Sequence, residues 1–221
     1  MNRGMLAIWS DVEPAMVADY LHWLTREHTA ERVGTDGFEG VRVFRANPSD
    51  INRYLILYDL AGPEVLTSPA YLARLNDPTP WSRRIMPVLR NFARGGGEVS
   101  FEAGLGRGGH LAAYRLDQSA PADSTPLRAI MAEDRVCAVR LLTVNADGTE
   151  VETNEKTLRS GDTRFPGLLL VEALDADALH AALVSHRAAI AQAGVNVTES
   201  STYSLIFALG KADLRRQSPV A

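Results

Sequence analysis

The sequence predicts an α+β chain of two tandem β-α-β-β-α-β units, packed sheet to sheet as one body. Three observations predict it. Strand and helix signals recur twice in that order along the 221 residues, meeting at the glycine-rich stretch Gly104-Leu105-Gly106-Arg107-Gly108-Gly109. Many of the strands are apolar at consecutive positions rather than alternating, the pattern of a sheet covered on both faces. A single unit with its helices on one face also leaves the other sheet face apolar and bare, so two units cover each other.

Residues 5–12 form a compact apolar run of β-type residues that closes at Asp11 and Pro14. Asp11 is placed to cap a helix whose first turn accepts Pro14, because a proline there sacrifices no intrahelical bond. Met16, Tyr20, Leu24 and His28 recur every four residues, with Val17 and Leu21 beside them, which makes one helix face ended by Gly34 and Gly37. Val41 and Val43 around Arg42, flanked by Phe38 and Phe44, give the second strand. Asn47-Pro48-Ser49-Asp50 reads as a turn, and residues 54–60 as the third strand. Two short helices follow, each opened by a hydroxyl cap and a proline: Ser68-Pro69 and Thr79-Pro80. Pro87 shortens the second of them, and residues 98–101 complete the half as a fourth strand.

The second half repeats the order with little residue identity. Residues 111–116, 136–144 and 168–174 read as strands, 127–132 as a short helix, and a long polar segment rich in Thr, Glu and Gly joins the middle two strands. Asp175 or Asp177 caps a helix that carries Leu179, Leu183, His186 and Ile190 on one face and ends at Gly194. Tyr203, Leu205, Phe207 and Leu209 alternate as a half-buried last strand, and the tail from Lys211 is polar and frayed. This order is the ferredoxin-like arrangement, with units at 1–106 and 107–221.

Composition narrows the function. A net charge of −4 carries no electrostatic footprint for nucleic acid. No apolar run approaches the roughly 18 residues that a bilayer span needs, and the apolar start before Asp11 is too brief for a signal peptide. Cys137 is the only cysteine, so neither an intrachain disulfide nor a thiolate metal cluster is expected, and the cytoplasm is the expected compartment. The stretch 104–109 is followed by a strand signal and not a helix, so it reads as a flexible linker rather than a phosphate loop. A serine nucleophile elbow, a Walker loop and a His-Glu-x-x-His helix are all missing, and no metal or nucleotide cofactor is expected.

The segment Tyr20-Leu21-His22-Trp23-Leu24-Thr25-Arg26-Glu27-His28-Thr29-Ala30-Glu31-Arg32 is the richest in chemistry. His28 continues the apolar stripe and points inward, where an imidazole serves as general base or hydrogen-bond partner. A histidine bonded to a backbone carbonyl would occupy the same position. His22 falls on another face. Glu27 and Glu31 pair with Arg26 or Arg32 on the surface, and His28 with Glu31 supplies only two metal donors, without a third. Trp9, Trp23 and Trp81 all lie in the first half with Tyr20, Tyr54, Tyr58 and Tyr71, and small-molecule pockets favour such aromatic walls. Tyr20, Tyr54, Tyr58 and Trp81 are the candidate ligand-binding residues beside a catalytic His28, although aromatics also simply fill cores. Arg83 and Arg84 beside Trp81 either bind an acidic group or are plain surface arginines. His186, inward on the last helix, either ligates a haem iron or sits satisfied at the core boundary.

The first hundred residues resemble the dimeric α/β-barrel superfamily, especially EthD-like proteins. The resemblance rests on Trp9-Ser10-Asp11-Val12, on Trp23-Leu24-Thr25-Arg26-Glu27-His28 with Glu31-Arg32, on Arg53-Tyr54-Leu55-Ile56-Leu57-Tyr58, and on Ser68-Pro69-Ala70-Tyr71 with Asn76-Asp77-Pro78-Thr79-Pro80-Trp81. The second half matches only in element order. The resemblance implies two ferredoxin-like units closing a barrel, usually across a dimer but here from one chain as an intrachain α/β barrel, with ligand cavities between sheet and helices; a homodimer is the protein partner considered. It also implies a small apolar or aromatic ligand, with oxygenase, isomerase or cyclase chemistry free of metal and nucleotide. A non-catalytic binding or structural barrel is the alternative, and haem chemistry is the third.

Overall fold

The computed structural model describes residues 3–47, 52–118, 121, 123–149, 151–194 and 202–215. Most of the predicted turn, Pro48-Ser49-Asp50, lies outside them, as does the tail beyond 215. Strand β1 (Gly4–Asp11) has two buried faces: Met5, Ala7 and Trp9 point one way, Leu6 and Ile8 the other. Asp11 does not cap the helix that follows. Its carboxylate instead accepts two bonds from Arg53, at 2.6 and 2.8 Å, and one from Asn91 at 2.8 Å.

The helix runs in three pieces: α1 (Val17–Trp23), a π-helical turn (Leu24–His28) and α2 (Thr29–Gly34). Two threonines bond back onto its carbonyls, Thr25 Oγ1 to Leu21 at 2.7 Å and Thr29 Oγ1 to Leu24 at 2.8 Å. Such bonds loosen the i→i−4 ladder and favour a widened turn. The predicted uninterrupted stripe is therefore broken where the chemistry lies. Strands β2 (Phe38–Asn47) and β3 (Arg53–Leu60) follow, then α3 (Pro69–Asn76) and α4 (Pro80–Ile85). Ser68 and Thr79 cap these helices through their hydroxyls, as expected, and α4 gives way to a 3-10 turn at Met86–Val88, where Pro87 lacks the N–H needed to continue.

Strand β4 (Arg90–Gly104) is far longer than the four residues predicted. Its run Gly95-Gly96-Gly97 looks like a breaker in sequence but pairs with Ala7, Leu6 and Met5. Glycine is needed there by close approach, since a Cβ on Gly97 would lie 2.1 Å from the Thr143 carbonyl oxygen. The second half comprises β5 (His110–Leu116), α5 (Thr125–Arg128), β6 (Val136–Val144), α6 (Ala146–Thr149), α7 (Asn154–Thr157), β7 (Gly167–Ala173), α8 (Ala176–Ser185), α9 (Arg187–Gln192), β8 (Thr202–Gly210) and α10 (Lys211–Arg215). The predicted single helix from Asp175 breaks at His186, which turns to Glu133 at 3.1 Å. Asp175 is the cap, and it bonds the Ala178 amide at 2.9 Å.

The eight strands close one antiparallel barrel in the order β1-β3-β2-β8-β5-β7-β6-β4. Each half contributes four adjacent strands, β4-β1-β3-β2 and β8-β5-β7-β6, and edge strands join the halves at β2·β8 and β4·β6. Closure removes the unpaired edges that an open sheet would present. Three apolar cores result. One lies between the first half's helices and the outer face of its strands, a second is its counterpart in the other half, and the third fills the barrel. Inside the barrel Trp9 Nε1 donates to Tyr203 at 2.9 Å, tying the halves together.

The alternation predicted for β8 does not persist. A bulge pairs Val43 with Phe207 but Phe44 with Leu205, so Tyr203 faces the barrel while Phe207 and Leu209 pack on the outer core. One extra residue reverses the facing of all that follow. The glycine-rich joint is fastened, contrary to the flexible linker expected. Arg140 Nη2 donates to the Gly106 carbonyl at 3.0 Å, and the Gly108 amide donates to Glu172 Oε2 at 2.9 Å. Glu172 is fully buried and also pairs with Arg42 at 2.8 Å and with Arg140, so a charged cluster plugs this end of the barrel.

Candidate functional site

A narrow cleft lies between the outer face of β1 and β3 and the helices of the first half. The strands supply Ile8, Ser10, Ile56 and Tyr58; α1, the π turn and α2 supply Tyr20, Trp23, His28 and Arg32. The far wall is Tyr71, Met86, Leu89, Phe92 and Arg94, and the second half closes it with Glu155 and Arg159. The cleft leaves only about 20 Å³ for the centres of water-sized molecules, room for a water or two. It adjoins a charged vestibule of about 60 Å³ on the same scale, and the two share Arg94, Glu155 and Arg159.

The π turn shapes the site. At 3.6 residues per turn, side chains five apart diverge by roughly 140° around an α-helix. Here Trp23 and His28 are five apart and stack, with ring centroids 4.1 Å apart and planes 27° from parallel. Trp23 is fixed in turn by its Nε1, which donates to Ser82 at 3.1 Å. His28 is 3% exposed and its Nδ1 is buried without a hydrogen-bond partner. Burial, then the positive charges of Arg32 and Arg159, hold its pKa well below the usual imidazole range. The ring is therefore neutral at physiological pH.

Three more polar groups of this region are buried and unsatisfied: the hydroxyls of Tyr58 and Tyr54, and Nη1 of Arg32. Burial pushes both tyrosine pKa values up, so these phenols stay protonated. The Tyr20 hydroxyl has a partner, Ser10 Oγ at 3.3 Å. Arg32, expected on the surface, is only 3% exposed. It pairs with Glu155 through Nη2, and its Nη1 lies 3.3 Å from Glu31 Oε2 without hydrogen-bond geometry. Arg159 lies over Phe92, its guanidinium carbon 3.9 Å from the ring centroid, and grips Asp162 with two bonds of 3.1 Å.

Of the residues singled out from the sequence, His28, Tyr20 and Tyr58 line this cleft together. Tyr54 lies behind Tyr20, ring centroids 4.9 Å apart, and is not among the lining residues. Trp81 is on the outer side of the helices, where its Nε1 bonds Asp19 at 3.0 Å and Arg84 stacks on its ring. Arg84 also reaches Asp19, and Arg83 bonds the Pro78 carbonyl. Sequence reasoning missed Glu155 and Arg159, whose only signal was the density of charge between 152 and 164. It also misplaced Arg32, although the four-residue spacing from His28 puts both on one helix face. Among the described residues no group of three or more His, Cys, Asp or Glu side chains could hold a metal ion. No described helix is long and apolar enough to cross a membrane.

No protein-family model matches the sequence, and no curated protein matches it. Solved structures do. An anthrone oxidase-like protein superposes with a TM-score of 0.61 at 10% identity, over 95% of this chain and 93% of that one. A candidate monooxygenase of Lactobacillus acidophilus gives 0.55 at 6% identity over 96% and 97% of the two chains. One from Fusobacterium nucleatum gives 0.54 at 11% identity over 95% of each. At these identities the likeness extends to the fold alone: the chain has a mixed α+β fold, closed as an eight-stranded antiparallel barrel.

Proposed function

We propose that the cleft between the first half's helices and sheet binds a small apolar or aromatic molecule, and that the chain converts it without a metal or nucleotide. The observation that carries this reading is His28 Nδ1, a buried acceptor or donor with no partner in a cleft where Tyr58 and Arg32 are also incompletely bonded. Buried polar groups are paired in the great majority of cases, and an orphan costs about 1–3 kcal/mol. Several orphans at one cleft are the signature of groups kept for a ligand. The neutral imidazole accepts a hydrogen bond or a proton from the ligand, and Arg32 and the Tyr58 hydroxyl stabilise the oxygen on which negative charge develops. Trp23, Leu89 and Phe92 supply apolar walls.

We also read the barrel as two ferredoxin-like units, residues 1–106 and 107–221, the first of EthD-like character. The matching strand order of the halves supports this reading. The first unit carries most of the site. The second contributes architecture together with Glu155 and Arg159. A haem does not suit His186, whose Nε2 is engaged by Glu133 at 3.1 Å.

The test is a cofactor-free protein screened against aromatic and polyketide-like compounds, read by the imidazole resonances of His28. In a screen that finds turnover, His28→Gln is expected to lower it by about 10²-fold or more. Unchanged binding and turnover would remove His28 from the mechanism. The tightness of the cleft favours a second reading, a non-catalytic barrel. In that case His28→Ala lowers thermal stability, and no compound shifts the imidazole.

A further inference from the structure

We propose that residues 151–162 form a strap that closes the cleft, and that this strap lifts as a unit on the folded barrel to admit a molecule to His28. The purpose given to it rests on the cleft being a ligand site; the lifting itself does not. The length of the segment is the first observation. Strands β2 and β3 are joined by residues 48–52, whereas β6 and β7, antiparallel neighbours in the other half, are joined by residues 145–166. An antiparallel pair is closed by about two to five residues, so the remainder is not needed to turn the chain. Connections of such length in a compact chain commonly serve as lids or binding loops.

The course of the segment is the second. Its ends are anchored side by side. The Val144 amide donates to the Pro166 carbonyl at 3.0 Å, the Thr163 amide donates to the Phe92 carbonyl at 2.8 Å, and Phe165 packs edge-on against Trp9 inside the barrel. Between these anchors the chain leaves its own half and lies against the first. There Glu155 and Arg159 wall the cleft, and Thr153, Lys156 and Asp162 wall the vestibule beside it. The strap is also held together from within. Thr153 caps α7 by accepting from the Lys156 amide, and Arg159 donates to the Glu155 carbonyl at 3.3 Å and pairs with Asp162. Its fastenings to the first half are of a different kind, side-chain latches rather than a ladder. Asn154 bonds Asn76 twice, at 2.7 and 3.1 Å, Glu155 pairs with Arg32, and Leu158 and Arg159 lean on apolar side chains. A segment that keeps its own bonds while releasing a few latches opens at lower free energy than the whole chain unfolds. With the strap down the cleft has space for a water or two, so a larger molecule enters when it lifts.

Carbethoxylation of neutral imidazoles by diethyl pyrocarbonate, followed for each histidine by mass spectrometry, reads the opening on the full chain without any ligand. Exposed His22 is the internal control. His28, 3% exposed, should react only through opened molecules. A local lift bares little surface, so the His28 rate should change less than about twofold between no urea and about 1 M urea. Labelling by way of the unfolded chain would instead rise roughly tenfold or more over that range. Glu155→Gln, which takes the charge out of one latch, should speed His28 labelling by about tenfold. Asn154→Ala should speed it a few-fold, about the worth of one hydrogen bond, and His22 should be unchanged in both. Asn154 is exposed, so its variant reads the latch even where Glu155→Gln fails to fold. A His28 rate that climbs with urea in step with global unfolding overturns the strap, as does a His28 that stays unlabelled until the chain unfolds. A urea-independent rate that neither variant moves shows another route to His28 and also overturns it. If the strap passes these tests and no compound shifts the His28 imidazole, the ligand reading fails alone.

Discussion

Removing the Glu155 carboxylate should cost far more than an ordinary surface change, because of where Arg32 is. Arg32 is 3% exposed and Glu155 7%, and their ion pair spans the first-half helix and the second-half segment at α7. Breaking a buried pair by deleting one partner costs about 3–5 kcal/mol, because the other charge stays buried and uncompensated. Glu31, 3.3 Å from Arg32 Nη1, takes over part of the compensation. The lower end of the range, about 3 kcal/mol, is therefore expected for Glu155→Ala. For a chain of this length that is a fall in Tm of roughly 6–12 °C. Replacing both partners, as Glu155→Ala/Arg32→Met, should recover at least about half of the loss, since an apolar pair of similar volume is often neutral. Calorimetry and urea titration of the two singles and the double give the cycle. A loss below about 1 kcal/mol for Glu155→Ala, or a double variant no more stable than that single, would refute the buried pairing.

Tyr58→Phe should leave the ligand-free protein equally stable, or more stable by about 1 kcal/mol, because it removes a buried hydroxyl with no partner; a drop of Tm would show that the hydroxyl is bonded. The same change should weaken ligand binding if that hydroxyl is kept for the ligand. His28 has a folded pKa below its unfolded value, so the unfolded chain takes up the proton first as pH falls. Its contribution to stability is intact above about pH 6.5 and is lost as pH falls from there through the folded value. His28→Gln should flatten that part of the stability–pH curve, and an NMR titration that finds His28 protonating at or above 6.5 would contradict the burial argument. Gly108→Ala should be strongly destabilising, since its Cβ would lie 2.4 Å from the Ala173 carbonyl oxygen at the charged barrel plug. A Tm within about 2 °C of wild type would mean the joint is loose after all.

Element identity was largely legible because it is governed by local chemistry. Hydroxyl–proline caps at Ser68 and Thr79, the Asp175 cap and the apolar runs at 54–60 and 136–144 act through neighbours in sequence, and they appear where periodicity put them. The full length of β4 was not legible, because glycine weakens a strand in isolation but in this barrel permits strands to approach. The bulge in β8 was invisible for a related reason. Alternation is a property of a regular strand, whereas the extra residue answers to β2 across the seam.

The sequence by itself determined that this chain is an α+β protein with repeated strand order, an inward His28 and aromatics gathered in its first half. Those features follow from period, capping and composition. Only the tertiary structure decided that Arg32 is buried, that Glu155 pairs with it and Arg159 joins the same cleft from more than a hundred residues away, and that Trp81 lies outside the cleft. Charge along a chain says nothing of its partner when that partner is brought by barrel closure. For the same reason, the energetics of His28 depend on neighbours that only folding assembles.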